Sequence, residues 1–156
     1  MDTFYVLHTP VGPLRLTAND TGLTHLLFPG QPAPEGAAEG ETPLLIRAAL
    51  ELEEYFGRKR TAFTVPLCPA GTPFQQAVWA ALQTIPCGRT VSYRDIAVKI
   101  GRPNAARAVG QANGKNPIPI LIPCHRVLAA NGSLGGYSLG LDVKRRLLAL
   151  EGVRIG

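Results

Sequence analysis

"TVSYRDIAVKIGRPNAARAVGQANG", residues 90–114, decides the architecture of the larger half of this chain. Ser92 and Asp95 stand three apart, the spacing of a capping box that opens a helix. Tyr93, Ile96, Ala97 and Ile100 then fall on one helical face. Gly101 suits a turn, and Pro103 can begin a second helix that runs to about Ala112. Two short helices joined by a glycine turn predict a helix-turn-helix. The second helix is unusual for a reader of base sequence. It carries Ala105, Ala106, Ala108, Gly110 and Ala112, with Arg107 as the main long polar group and Asn104 and Gln111 nearer the ends. Base edges in a major groove are usually met by Arg, Lys, Asn or Gln. Small residues let a backbone approach closely, which suits shape-based contact in a minor groove, or they simply pack against the neighbouring helix.

Upstream, "GTPFQQAVWAALQTIPCG" (71–88) predicts a helix capped by Thr72, with Gln75 completing the box and Pro73 in the first turn. Phe74, Val78 and Leu82 make its buried stripe, with Trp79 beside it, and Pro86 stops it. Downstream, "LDVKRRLLALEG" (141–152) reads as a last helix, with Leu141, Lys144, Leu148 and Glu151 on successive turns. Residues 1–70 differ. "FYVLHT", "PLRLTA" and "LTHLLF" predict a small antiparallel sheet with turns near 10–13 and 19–22. Residues 29–41, rich in Gly and Pro, read as irregular, and "TPLLIRAALELEEYFG" reads as a helix capped by Thr42 and ended by Gly57.

The expected fold class is therefore α/β: a small antiparallel-sheet and helix domain over 1–70, then a mainly helical, winged helix-turn-helix-like domain over 71–156. A length of 156 residues fits this pairing, and 46% hydrophobic residues suffice for a core. Charge separates the same two parts. Residues 1–70 hold 8 acids and 5 bases (net −3), while 71–156 hold 3 acids and 11 bases (net +8). A basic helix-turn-helix part favours a polyanion partner. No apolar run is long enough to span a bilayer, and no secretory leader is visible, so a cytoplasmic, monomeric protein without membrane contact is expected. Three cysteines, an odd number with no CxxC spacing, argue against a disulfide framework. With His8, His25 and His125 they make no compact ligand motif, so no metal is expected.

The chemistry-bearing stretch is "IPCHRV", 122–127. Pro117, Pro119 and Pro123 stiffen the approach to Cys124, and glycines 132, 135, 136 and 140 supply tight backbone positions after it. A reactive cysteine needs a base or a positive field to gain thiolate character. His125 is adjacent, but neighbouring side chains of an extended segment point opposite ways. A turn or a water could connect the two, and Glu151 could orient the histidine.

These segments, together nearly all of 71–152, closely resemble the O6-alkylguanine-DNA alkyltransferase family, also called methylated-DNA–protein-cysteine methyltransferases. "PCHRV" after such a helical region is highly specific for it. The resemblance implies repair of double-stranded DNA carrying O6-alkylguanine by one irreversible alkyl transfer to Cys124 without a cofactor, and leaves O4-alkylthymine open as a second substrate. It implies that His125 takes the thiol proton, generally through water, that Glu151 orients His125, and that Asn116 bridges the helix-turn-helix to the active-site loop. It places Tyr93 at the flipped nucleotide as the group that polarises the leaving base, and Arg107 in the base stack. Ala106, Asn104 and Arg94 accompany Arg107 on the DNA side. Pro119, Val127, Ala129, Tyr137 and Ser138 join Tyr93 around the alkylguanine pocket. Leu139 stands where the family often has glycine, which implies a reshaped loop and altered tolerance for bulky groups.

Other classes make different demands. A lesion-binding module of this type commonly lacks the acceptor cysteine, and Cys124 is present. A Cys-His hydrolase needs an oxyanion hole and leaves the basic helix-turn-helix unexplained. A transcription regulator needs no Cys-His pair, and the alanine-rich second helix suits base-sequence readout poorly.

Overall fold

The computed structural model describes residues 2–154. The chain divides into two compact units, one through Ala70 and one from Gly71 onward.

The first unit is a sheet carrying one helix. Strands β1 (Thr3–Thr9), β2 (Gly12–Ala18) and β3 (Leu23–Leu27) pair antiparallel in sequence order. Thr9 closes the first turn by donating its hydroxyl to the Gly12 carbonyl at 2.7 Å. Asn19 closes the second, its Oδ1 accepting from the backbone of Thr21 (2.8 Å) and Gly22 (2.9 Å), an Asx turn. The stretch expected to be irregular contains a fourth strand, β4 (Ala38–Glu39), parallel to β1 at the sheet edge, so the sheet is mixed. Two residues carry no period. The strand exists because Ala38 donates to the Asp2 carbonyl and Gly40 to that of Phe4, both at 3.0 Å. Helix α1 (Pro43–Phe56) is capped by Thr42 and buries Leu45, Ala48, Ala49, Leu52 and Tyr55. Its left-handed terminal residue is Arg58 (φ 61°), one position beyond Gly57, and the Lys59 N–H returns to the Glu54 carbonyl at 2.8 Å.

The second unit begins with α2 (Pro73–Leu82), which has the capping box of Thr72 and Gln75 and buries Val78, Trp79 and Leu82. Phe74 stays half-buried. Helix α3 (Tyr93–Lys99) has the second box, Ser92 with Asp95. Gly101 turns the chain at φ +78°. Helix α4 spans Ala106–Gly114, so it starts three residues later than Pro103. Residues 102–105 form a turn instead, with Ala105 donating to the Arg102 carbonyl at 3.0 Å. Trp79 ties α2 to α4 by donating Nε1 to the Ala112 carbonyl at 3.0 Å. A short parallel pair, β5 (Val91–Ser92) with β6 (Val127–Leu128), joins the entrance of α3 to the segment after Cys124. An irregular loop over 129–140 leads to α5 (Leu141–Leu150). Val78, Leu82, Ile96, Val109, Ile118, Ile122, Val127, Leu147 and Leu148 are buried in this unit. No described helix is long and apolar enough to cross a membrane.

Candidate active site

Cys124 opens one turn of 3-10 helix, Cys124–Arg126, rather than an extended segment. The turn is closed by Cys124 donating to the Ile122 carbonyl (2.8 Å) and Arg126 donating to that of Pro123 (3.0 Å). The chain reaches it through Ile120, which holds φ +76°. That region is costly for a β-branched residue and persists only where the surroundings enforce it. Ile120 is 1% exposed, and the Ile122 N–H bonds the Ile118 carbonyl across it at 2.9 Å. Asn116 secures the same approach, donating Nδ2 to the Ile122 carbonyl (2.7 Å) and accepting at Oδ1 from the Ile118 N–H (2.9 Å).

His125 is fully buried, and its Nε2 lies 2.7 Å from Glu151 Oε2. Arg126 grips the same carboxylate through Nε (2.8 Å) and Nη2 (2.9 Å) and places Nη1 on the Ile85 carbonyl at 2.7 Å. The carboxylate therefore fixes the proton on Nε2 and leaves Nδ1 as the basic nitrogen. Nδ1 is buried and has no protein partner. No hydrogen bond joins Cys124 directly to His125 among the described residues. Burial pushes the His125 pKa below its ordinary 6.5, and the Glu151 hydrogen bond and charge only partly offset this, so the ring is neutral at pH 7.

The Cys124 thiol is 3% exposed and hydrogen-bonds the Tyr137 hydroxyl at 3.8 Å. Burial pushes its pKa up, while hydrogen bonds from Asn116 and Tyr137 and the charge of Lys144 work the other way. Lys144 is the least expected member of the site. It stands on α5 in line with Leu141 and Leu148, is fully buried, and donates Nζ to the carbonyls of Val127 (2.7 Å), Leu134 (2.5 Å) and Gly136 (3.1 Å). It ties β6 to the middle of the loop that follows. Burial lowers its pKa to about 8.

A cavity of about 200 Å³ is lined by Tyr93 of α3, by Gly110, Asn113 and Gly114 of α4 or its end, and by Gly136, Tyr137 and Ser138 of the loop; Cys124 is not in this lining and is linked to it through Tyr137 and Asn113. The helix-turn-helix itself is thus one wall. Tyr137 and Asn113 both bond Cys124, the latter by donating Nδ2 to its carbonyl at 3.3 Å. Tyr93 is half-buried and donates to the Gly136 carbonyl at 3.4 Å; burial raises its pKa, and the nearby Cys124 adds to the rise. Of the six expected pocket residues, Tyr93, Tyr137 and Ser138 line the cavity. Pro119, Val127 and Ala129 do not. Val127 is fully buried in its pairing with Val91, Pro119 bridges to Ile122, and Ala129 is taken up by a turn to Ser133. Leu139 is also absent from the lining; it lies in a turn closed by Gly140 donating to the Tyr137 carbonyl at 3.0 Å.

Arg94, Asn104 and Arg107 are exposed on or beside the two helices, and Ala106 is half-buried at the start of α4. Ala105 offers no side-chain cap there, which leaves first-turn N–H groups open to an outside acceptor. Among the described residues, the ion pairs of this unit involve Glu151 and Asp142 and use neither Arg94 nor Arg107. No group of His, Cys, Asp or Glu among the described residues could hold a metal ion.

The family model for 6-O-methylguanine DNA methyltransferase, DNA binding domain, matches residues 73–153, and that for the ribonuclease-like domain of the same protein matches 3–69. A methylated-DNA–protein-cysteine methyltransferase of Methanosarcina barkeri is 49% identical over 149 residues, covering 94% of each chain. The constitutive enzyme of Bacillus subtilis is 40% identical, covering 97% of this chain and 96% of that one. The crystal structure of Mycobacterium tuberculosis OGT in complex with DNA superposes with a TM-score of 0.90 at 46% identity, over 96% of this chain and 92% of that one. With both halves matched and the fold reproduced, the chain belongs to the methylated-DNA–protein-cysteine methyltransferase family.

Proposed function

We propose that the protein repairs O6-alkylguanine in double-stranded DNA by moving the alkyl group, once, onto Cys124. The observation that carries this reading is a buried thiol hydrogen-bonded to Tyr137, itself a lining residue of a cavity whose other wall is the helix-turn-helix. An O6 substituent inside a duplex cannot reach such a thiol, so the nucleotide must leave the stack and enter the cavity. Arg107 fills the gap from α4, and Ala106 allows the close approach. Asn104, Arg94 and the open N–H groups of α4 hold the backbone.

His125 Nδ1 takes the thiol proton through a bridging water, with Glu151 and Arg126 holding the ring in the required tautomer. Sulfur then attacks the alkyl carbon. The carbon–sulfur bond forms as the bond to O6 breaks, and the electron pair stays on the base. Tyr93 donates toward that developing charge, and the proton lost by the thiol returns to the base, which leaves as guanine. A thioether has no carbonyl for water to attack, and the geometry offers no second nucleophile. The reaction therefore ends with the protein alkylated, and no cofactor enters it.

We further take the protein to act as a monomer in the cytoplasm; its three free cysteines suit a reducing compartment. Titration of a duplex containing O6-methylguanine tests the reaction. Repaired DNA should plateau at one equivalent per protein molecule, and C124A should repair none while still retaining the lesion duplex. Continued turnover past one equivalent contradicts the scheme.

A further inference from the structure

A second cavity, of about 240 Å³, lies in the same unit and shares no lining residue with the first. Its floor is apolar: Ile85 is 4% and Ile96 1% exposed, and half-buried Val91 extends them. Bonds to other elements hold this floor in place. Arg126 donates to the Ile85 carbonyl at 2.7 Å, and Val91 pairs with Val127. The rim is cationic. Lys99 donates Nζ to Thr84 Oγ1 at 2.6 Å, and that hydroxyl donates to the Ala81 carbonyl at 2.6 Å, so the ammonium is fixed at the rim with N–H donors still unused. Arg89 is exposed on the same rim, and among the described residues neither cation enters an ion pair. The one carboxylate in the lining, Asp95, is engaged as a helix cap, accepting from the Ser92 N–H at 2.8 Å.

Size and chemistry together limit what this cavity takes. Its volume is below the roughly 300–1,000 Å³ of a site that encloses a whole small ligand, so it fits one anchoring side chain of something larger. The floor asks that side chain to be apolar, and the rim asks its neighbours to be anionic. A DNA backbone supplies the anion and nothing apolar to cover Ile85, Val91 and Ile96. The cavity also follows the α3 face of Asp95 and Lys99, which stand one turn apart, whereas Arg94, proposed above to hold DNA, falls on another face.

We infer that this cavity docks an acidic segment of a partner protein, with one apolar side chain seated on Ile85, Val91 and Ile96 and flanking carboxylates on Lys99 and Arg89. Charge complementarity favours such a segment, since residues 71–156 carry net +8. The site stands apart from the alkyl-transfer chemistry proposed above and uses none of its residues.

The probe is a fluorescein-labelled synthetic peptide, Asp-Asp-Leu-Asp-Asp, titrated with the full chain and followed by fluorescence anisotropy. It should bind with a Kd of about 100 μM or tighter. Serine in place of its leucine should weaken binding about tenfold, and so should Lys99→Gln or Arg89→Gln in the protein. Arg89→Gln leaves the bond from Lys99 to Thr84 in place, so it reads the rim charge without disturbing α3. Both protein variants should bind undamaged duplex, and transfer methyl from an O6-methylguanine duplex, as the wild type does. No binding of the leucine peptide, or equal binding of the leucine and serine peptides, overturns the inference. An unchanged peptide Kd in both variants overturns it too. So does a loss of duplex affinity in the variants that matches the loss of peptide affinity, because the two cations then serve DNA.

Discussion

Glu51 in the first unit and Glu151 in the second are both buried carboxylates beside arginine, with side chains 4% and 1% exposed. Glu51 accepts from the backbone N–H groups of Thr64 (2.8 Å) and Val65 (3.2 Å) and from the Thr64 hydroxyl (2.5 Å), with Arg47 and Arg60 nearby. Among the described residues none of these partners keeps a buried, unpaired side-chain atom, and the cluster fastens residues 60–65 to α1. Glu151 accepts from Arg126 and from His125, and the far nitrogen of that imidazole is unpaired. Burial of a charge with its partners is common to structural and reactive sites. The difference lies in the partner: the imidazole held by Glu151 keeps its far nitrogen, Nδ1, unpaired.

The contrast breaks if exchanging the two carboxylates for amides gives the same result. Glu151→Gln should slow single-turnover transfer about a hundredfold, because the histidine loses its orienting charge. Glu51→Gln should leave the transfer rate of folded protein nearly unchanged and cost about 2 kcal/mol in denaturant unfolding. Equal loss of transfer in both would mean that each carboxylate only maintains the fold.

Acid sharpens the same contrast. Burial holds the His125 pKa below its ordinary 6.5, so the acid limb of the transfer rate, as Nδ1 takes a proton, should be centred on the acid side of that value. Glu151 raises that pKa against burial, so the acid limb in Glu151→Gln should lie lower still, under a reduced plateau. Glu51 answers acid through stability. Burial pushes its carboxyl up, but the Thr64 and Val65 hydrogen bonds and the Arg60 charge outweigh this and leave it below 4.5. Its contribution is complete above 4.5 and is lost as pH falls through the lowered value, so acid unfolding should be less steep in Glu51→Gln than in wild type.

A smaller effect belongs to Lys144. Replacement by Met frees the carbonyls of Val127, Leu134 and Gly136 and removes a charge that favours the Cys124 thiolate, so transfer should slow about tenfold. As pH rises through about 8, the wild-type ammonium loses its proton and that support fades, whereas Lys144→Met should show no such alkaline change.

Residues whose role is set by their near neighbours could be read from the chain. Thr42, Thr72 with Gln75 and Ser92 with Asp95 cap helices through bonds three residues long, and all three stand as expected. The pair of Cys124 and His125 was visible in the "PCHRV" motif. Roles set by distant backbone were hidden. β4 exists only through the edge of β1, α4 starts late because 102–105 turn first, and Lys144 is buried only because three loop carbonyls converge on it. The same holds for Arg126, which spans from Glu151 to Ile85, and for Asn113 and the glycines of α4, which form the cavity wall that Pro119, Val127 and Ala129 were expected to supply.

The most direct test of the central claim is the mass of the intact protein after incubation with excess duplex containing one O6-methylguanine and no added cofactor. The account predicts a gain of one CH2 per molecule, mapped by peptide analysis to Cys124 and absent in C124A. An unchanged mass while the DNA loses its methyl group, or a methyl found on any residue other than Cys124, would contradict it.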